Sequence, residues 1–152
     1  MAQLTHDRST QYSLGDLLAV PVAAGEAIYS GSLVASNSSG YAVPASDSAG
    51  IVFEGVAVEQ ADNSDGSDGE VQVIVRRRGR YLFDAQSPLD ESARSAPAYA
   101  VDDHTVEADE TQVSSSVQVG VIDKLENSGE CWISIDADAL NTRTWSEPTT
   151  TT

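Results

Sequence analysis

The feature that most constrains the fold of this chain is a pattern of short aliphatic segments separated by glycine and polar turn residues, and it occurs twice. One copy comprises residues 55–58, a polar loop and residues 69–75. The other comprises residues 120–123, a short turn and residues 129–135. Alternating apolar and polar residues with such turns are typical of β-hairpins. Two copies are too few for a solenoid, so they favour pseudo-symmetry within one barrel.

The rest of the chain continues the same pattern, with little helical periodicity. Strands spaced by turns predict an all-β fold, either a small barrel or a sandwich. At 152 residues the chain is most simply one domain. We predict an extended N-terminal arm at residues 1–12, the β domain at residues 13–140 and a flexible C-terminal tail at residues 141–152.

Three local signals refine this prediction. Residues 88–94 predict one short helix, capped by Ser87 and favoured by Pro88 at its first position. Pro21 predicts a strand end or a sheet edge. Glycine inside a strand pattern favours a bulge at Gly55, and a turn or bulge at Gly79.

The charge balance restricts the partners. There are 24 acidic residues against 8 basic ones, for a net charge of −16. Such a chain repels phosphate backbones, so we expect no nucleic-acid binding. Self-repulsion favours solubility, and one lysine against seven arginines is also compatible with a salt-rich host.

Compartment signals are few. The single cysteine, Cys131, rules out an intrachain disulfide and predicts a buried, inert thiol. No apolar run reaches the roughly 18–20 residues of a membrane span, so we expect no membrane partner. The first residues do not resemble a signal peptide, and we therefore expect synthesis in the cytoplasm.

The sequence carries no recognisable catalytic constellation. His6 and His104 are far apart, and neither lies in a nucleophile motif. The only lysine, Lys124, is not part of a phosphate-binding loop. We expect no enzymatic activity, no catalytic residue and no cofactor. A hydrolase that uses carboxylates distant in sequence stays open as an alternative.

An acidic loop at residues 62–70 could bind calcium through its carboxylates. It does not fit the EF-hand spacing, because Ser67 stands at the sixth position and Val73 at the twelfth. We expect a solvated turn and no metal site, with calcium as the alternative.

Half of the basic residues lie in one short run, which consists of Arg76, Arg77, Arg78 and Arg80. One interpretation is a contact patch that pairs with carboxylates across a subunit boundary. The other is neutralisation within the chain, together with protection of an edge strand. Its acidic partners would be Asp62, Asp65, Asp68 and Glu70.

The N-terminal arm has too few apolar residues to fold alone. We expect it to become ordered on a partner by adding a strand to a neighbouring sheet. The candidate contact residues are Leu4, Thr5 and Tyr12.

The central stretch resembles the capsid cement, or decoration, proteins of tailed viruses. The resemblance rests on residues 24–28, residues 30–34, Gly40, Pro44, Ala45, residues 55–57, Gly69 and residues 71–73. It implies a small β-barrel or β-tulip on the outer surface of an icosahedral virion. Homotrimers would clamp neighbouring subunits of the major capsid protein, often through the arm. The family has no catalytic residues to transfer. The alternative function is a cytoplasmic β-barrel that binds a small ligand or an adaptor protein.

Overall fold

A computed structural model describes residues 2–140 and residue 143. Strands make up 43% of the structure and helices 7%, which confirms the all-β class. The strands, in chain order, are β1 (Leu17–Pro21), β2 (Ala27–Ile28), β3 (Leu33–Ser36), β4 (Ala42–Pro44), β5 (Val52–Ala57), β6 (Ala61–Asp62), β7 (Gln72–Arg76), β8 (Arg78–Ala85), β9 (Pro97–Ala100), β10 (Thr105–Glu107), β11 (Gln118–Asn127) and β12 (Glu130–Asp136).

The strands divide at the middle of the chain into an open sheet and a closed barrel. The open sheet has the order β1-β7-β5-β3-β4, and β2 and β6 form a separate ribbon. The barrel has the order β10-β8-β12-β11-β9, closed by the pairing of β9 with β10. Its β10–β8 pairing is parallel, and its other pairings are antiparallel. The predicted small barrel is therefore present, with a sheet packed against it.

The centre of the open sheet is buried on both faces. In β3, Leu33 and Ala35 belong to a core shared with barrel residues such as Ile133. Val34, which points to the opposite face, packs in a second core with residues such as Ile28 of the ribbon. This explains why β3 is continuously apolar up to its last residue instead of alternating.

The two predicted hairpins have different outcomes. Strands β11 and β12 form an antiparallel hairpin, as predicted. Strands β5 and β7 also pair antiparallel, but β6 lies between them in sequence and pairs with β2. The prediction of pseudo-symmetry within one barrel is wrong, because the first copy lies in the open sheet and the second in the barrel.

Two of the predictions made from single proline and glycine residues are confirmed. Pro21 ends β1, which is the edge strand of the open sheet. The register of β5 against β3 shifts beside Gly55, as a bulge requires. Gly55 has a φ of 149°, and a Cβ there would lie 2.5 Å from the backbone oxygen of Arg76.

The prediction of a break at Gly79 is wrong. Gly79 lies inside β8 and pairs with Ile135, although its φ of 131° still favours glycine. The break falls at Arg77, the single residue between β7 and β8. It falls there because the chain leaves the open sheet and enters the barrel at this residue.

The predicted helix at residues 88–94 is reduced to a 3₁₀ turn at Glu91–Ala93, capped by Asp90 instead of Ser87. Ser87 Oγ instead donates to buried Glu107, 2.6 Å away, and the amide of Leu89 donates to Ser128 O. These tertiary bonds hold the chain out of a helix.

Other helical segments were not predicted. A second 3₁₀ turn lies at Glu110–Gln112, and a short helix, α1 (Ala137–Leu140), follows the last barrel strand. Within the described residues, no helix has the length and apolar character needed to cross a membrane. The predicted tail lies outside the described residues apart from Arg143, whose Nη2 donates to Ser36 Oγ at 3.1 Å.

The β11–β12 hairpin allows a test of barrel packing. A Cβ on Gly120 would lie 2.6 Å from Ser134 O and against Ile133. We expect Gly120→Ala to lower the free energy of unfolding by about 1–3 kcal/mol, the usual cost of overpacking. A Cβ on Gly129 would have Asn127 Oδ1 as its nearest neighbour, at 3.5 Å. Gly129→Ala should therefore change the free energy of unfolding by under about 0.5 kcal/mol. Urea denaturation measures both values, and equal losses would contradict this packing.

Candidate functional site

The predicted contact residues of the arm are exposed. Before β1, residues 2–14 form neither helix nor strand, and their side chains face solvent. Leu4 is 72% exposed and Tyr12 is 85% exposed. Thr5 Oγ1 lies 3.3 Å from His6 Nδ1 of the same arm. The arm therefore presents apolar side chains that nothing in its own domain covers.

Exposed leucines extend this surface beyond the predicted residues. Leu14, Leu17 and Leu18 are 72%, 54% and 41% exposed. Two of them lie on β1, which has β7 on one side and no strand of the described chain on the other. Such an edge offers free backbone groups for pairing. The sequence pattern did not single out Leu17 and Leu18 as contact residues; their position directly after a polar arm was the signal that could have identified them.

Arg77 connects the two halves of the domain. Its side chain is only 14% exposed. Nη1 donates to the carbonyl of Glu54 at 2.9 Å and to Glu54 Oε2 at 2.8 Å. Nη2 and Nε donate to Asp138 Oδ1 at 2.8 and 3.2 Å. One guanidinium thus joins β5 of the open sheet to α1 behind the barrel.

The backbone of Arg77 adds to this junction. Its amide donates to Asp16 O at 2.8 Å, and its carbonyl accepts from Ala137 N at 2.9 Å. Burial lowers the pKa of Arg77, but the hydrogen bonds to Asp138 and Glu54 and the negative charges of these two groups together raise it by more, so the net shift is upward. The hydrogen bond from Arg77 is the main cause that lowers the pKa of Asp138. Both groups are therefore charged near neutral pH.

The neighbouring arginines also pair within the chain. Arg78 Nη2 lies 3.2 Å from Asp138 Oδ2, and Arg78 Nη1 lies 3.7 Å from Asp16 Oδ1. Arg80 Nε pairs with Asp123. The predicted neutralisation of the acidic loop is wrong for Arg77, Arg78 and Arg80, which have other partners. The loop precedes β7 and the arginines follow it, a separation of about 15 Å along five strand residues.

Arg76 differs from these arginines. It is exposed, and within the described chain its side chain makes no hydrogen bond or ion pair. It lines a groove of about 340 Å³ where the open sheet meets the barrel, here called the Arg76 groove. The groove is otherwise lined by Ser30, Gly31, Val56, Ala57, Val58, Tyr81, Leu82 and Phe83. An apolar wall beside a guanidinium suits a partner that offers both an apolar side chain and a carboxylate.

Glu107 is a buried carboxylate, 2% exposed, in the barrel wall. It accepts from Ser87 Oγ at 2.6 Å, Gln86 Nε2 at 2.9 Å and Asp109 N at 3.1 Å. Burial raises the pKa of Glu107, but these hydrogen bonds and one from the Ala108 amide lower it by more. Glu107 is therefore an ionised structural group that holds adjoining loops.

A cluster at the tip of the β9–β10 turn brings together three groups that could hold a metal ion. The ligand atoms of Asp102, Asp103 and His104 lie within 4.8 Å of one another. The pKa of His104 is raised, mainly by its hydrogen bond with Asp103 and by the charge of Asp102. The charges of Asp103 and Asp84 raise it less, and burial lowers it. A metal ligand must be a neutral imidazole, so protonation competes with metal binding here.

Cys131 is buried in the barrel core, as predicted. Burial raises the pKa of its thiol to about 11, which keeps it protonated at neutral pH. A protonated, inaccessible thiol is a poor nucleophile.

Comparison with known proteins adds no relative. No family model, curated protein or solved structure matches the chain. The features that bear on function are therefore the exposed arm, the edge strand, the arginines and the resemblance of the central stretch to capsid decoration proteins.

The arginine pairs differ in burial, which allows a matched comparison. We expect Arg77→Ala to lower the free energy of unfolding by about 2 kcal/mol or more, because it leaves the partly buried Glu54 carboxylate with a hydrogen bond from Ser36 Oγ but without its ion-pair partner. We expect Arg80→Ala to lower it by about 0–1 kcal/mol, since its pair with Asp123 is exposed. Urea denaturation of the isolated protein measures both. A small, equal effect of the two changes would show that Arg77 does not hold the sheet and the barrel together.

Proposed function

We propose that this chain is a non-enzymatic capsid decoration protein of a tailed virus. It binds the outside of the head and stabilises the shell by clamping neighbouring subunits of the major capsid protein. The observation that carries the proposal is an exposed polar arm with isolated apolar side chains that leads directly into an edge strand. The glycine and valine pattern of the central stretch supports it from the sequence.

The arm has the reach and the chemistry for such a contact. Thirteen residues in an extended conformation span up to about 45 Å, so the arm can reach well beyond its own domain. Leu4, Tyr12 and Leu14 provide apolar anchors along this length. Backbone pairing with a partner sheet supplies affinity, and the alternate side chains supply specificity.

Symmetry and charge fit the same role. A homotrimer matches a three-fold position on the shell, and linked copies gain avidity without any stronger single contact. Binding only to the mature shell stabilises it by mass action. The net charge of −16 keeps free subunits apart, and salt screens that repulsion on the crowded particle.

Arg76 is the arginine best placed to contact the partner. Arg77, Arg78 and Arg80 already pair with carboxylates of their own chain. Arg76 lies in its groove with apolar neighbours and no carboxylate. A carboxylate from a capsid subunit or a second copy of this chain would complete the pair.

The Arg76 groove also favours the alternative of a module that binds an acidic adaptor peptide. A small ligand inside the barrel is less favourable, because Phe83, Ile122 and Ile133 fill its interior. The discriminating experiment is co-sedimentation of the purified chain with capsids of the virus whose genome encodes it. Failure of the full-length chain to bind those capsids would overturn the decoration function.

The arm can be tested with matched double variants. We expect Leu4→Ser with Tyr12→Ser to reduce co-sedimentation with capsids at least tenfold, because both anchors are lost. Gln3→Ser with Gln11→Ser removes polar groups of the same arm and should bind like wild type. Circular dichroism should give the same β spectrum for all three proteins. Unchanged binding by the Leu4 and Tyr12 variant would mean that the arm is not the clamp.

The Arg76 contact predicts a salt signature. We expect Arg76→Ser to weaken capsid binding by about two- to fivefold per copy, the value of an exposed ion pair, and to flatten the dependence of binding on salt. Arg80→Ser is the control, since its partner Asp123 belongs to the same chain. Titrating binding between low and high salt measures the slope. An identical slope for wild type and Arg76→Ser would exclude this contact.

A further inference from the structure

The acidic loop between β6 and β7 contains a buried oxygen that has no hydrogen-bond partner. Asn63 is only 2% exposed, and its Oδ1 atom accepts no hydrogen bond. Leaving a buried polar atom unpaired costs free energy, so such atoms are rare and call for an explanation.

The orientation of this amide is fixed by its nitrogen. Asn63 Nδ2 donates to Val22 O at 3.1 Å, Ala23 O at 3.1 Å and Ser67 O at 2.9 Å. Rotating the amide by half a turn would place its oxygen against these three carbonyl oxygens. The unpaired atom is therefore the oxygen, held by its neighbours in one position.

A second oxygen converges on the same place. Gly66 has no left-handed φ, so its backbone conformation does not require glycine. Glycine is required there for steric reasons. A Cβ at Gly66 would overlap Asn63 Oδ1 and lie 2.8 Å from Glu70 Oε2. The missing side chain of Gly66 thus leaves a cradle that an amide oxygen and a carboxylate oxygen both face.

The surroundings of the cradle are oxygen-rich and negatively charged. A surface cavity of about 240 Å³ is lined by Asp62, Asn63, Ser64, Asp65, Gly66, Glu70 and Val71, with no basic residue among them. Glu70 Oε2 accepts from Ser67 N at 2.8 Å, which orients its carboxylate. Asp62 Oδ1 accepts from Ser64 N at 3.0 Å. Asp65, which is exposed, also lines the cavity.

We propose that residues 62–70 form a calcium-binding site, with Asn63 Oδ1 and the carboxylates of Glu70 and Asp65 as its protein ligands. Hard oxygen donors of mixed type are what Ca²⁺ prefers, and its irregular coordination tolerates a loop that does not follow the EF-hand order. Mg²⁺ demands near-octahedral geometry and gives up its waters reluctantly, so we expect it to bind here more weakly than Ca²⁺. The site is independent of the proposed capsid role.

The competing account needs no ion. The oxygen of Asn63 would face only the Cα hydrogen of Gly66, a weak contact of the kind seen between adjacent strands. The loop would then be a solvated turn, as the sequence alone favours. The two accounts differ in a measurable way, because only the first gives saturable binding of calcium to this loop.

The test is calorimetric titration of CaCl₂ into the full chain at constant ionic strength, with MgCl₂ in parallel. We expect a saturable isotherm with a Kd in the range of about 0.1–1 mM, typical of weak calcium sites, and weaker Mg²⁺ binding. Thermal melting in the same series should move upward with calcium by mass action. Constant ionic strength matters because any divalent cation screens a chain of charge −16.

Matched variants separate the site from general screening. Glu70→Gln keeps the hydrogen bond from Ser67, and Asp65→Asn changes an exposed side chain, so both should fold. Each should weaken calcium binding at least fivefold. Asp68→Asn is the control: it removes the same charge from the same loop, but Asp68 accepts from Ala24 N and does not line the cavity. It should bind within about twofold of wild type, because it removes a charge that solvent and salt screen but removes no ligand.

Two results would overturn the site. One is a wild-type chain without a saturable isotherm up to about 10 mM CaCl₂, well above the weakest class of calcium site. The other is an equal loss of binding in the Asp68→Asn, Asp65→Asn and Glu70→Gln variants, which would mean that calcium responds only to net charge.

Discussion

The arrangement of this domain depends on how the chain crosses from the open sheet into the barrel at Arg77. The crossing would leave backbone groups unpaired, and Asp16 and Ala137 satisfy them. The guanidinium then binds Glu54 and Asp138 from opposite sides. Within the described residues, Arg77 is the one place where a single residue separates a strand of the sheet from a strand of the barrel, and its charge is what Glu54 and Asp138 require there.

Local patterns were sufficient for the fold class and for features that depend on neighbours in sequence. Alternation predicted the β11–β12 hairpin, and Pro21 and Gly55 marked an edge and a bulge. The helix prediction failed because Ser87 and Leu89 have tertiary partners, Glu107 and Ser128, that no local signal reveals. The division into sheet and barrel was missed for the same reason: pairing partners of a strand are not encoded in its own alternation.

The candidate surfaces were predictable to different extents. A polar segment with isolated apolar residues is visible in the sequence, and the arm follows from it. The distinction between Arg76 and its three neighbours is not visible, because it depends on which carboxylates α1 and β11 bring nearby. The buried oxygen of Asn63 is even less accessible to sequence reasoning. Its position is set by carbonyls of Val22 and Ala23, about forty residues away in the chain.

The sequential arrangement of sheet and barrel has a consequence for synthesis on the ribosome. Every strand of the open sheet precedes residue 77, so the sheet can pair before any barrel strand has been translated. One face then meets the ribbon, but the face that carries Leu33 and Phe53 has no cover until β8–β12 close. The barrel therefore covers this apolar surface only after the rest of the chain has been synthesised. A stalled or truncated chain would leave the surface exposed and prone to aggregation.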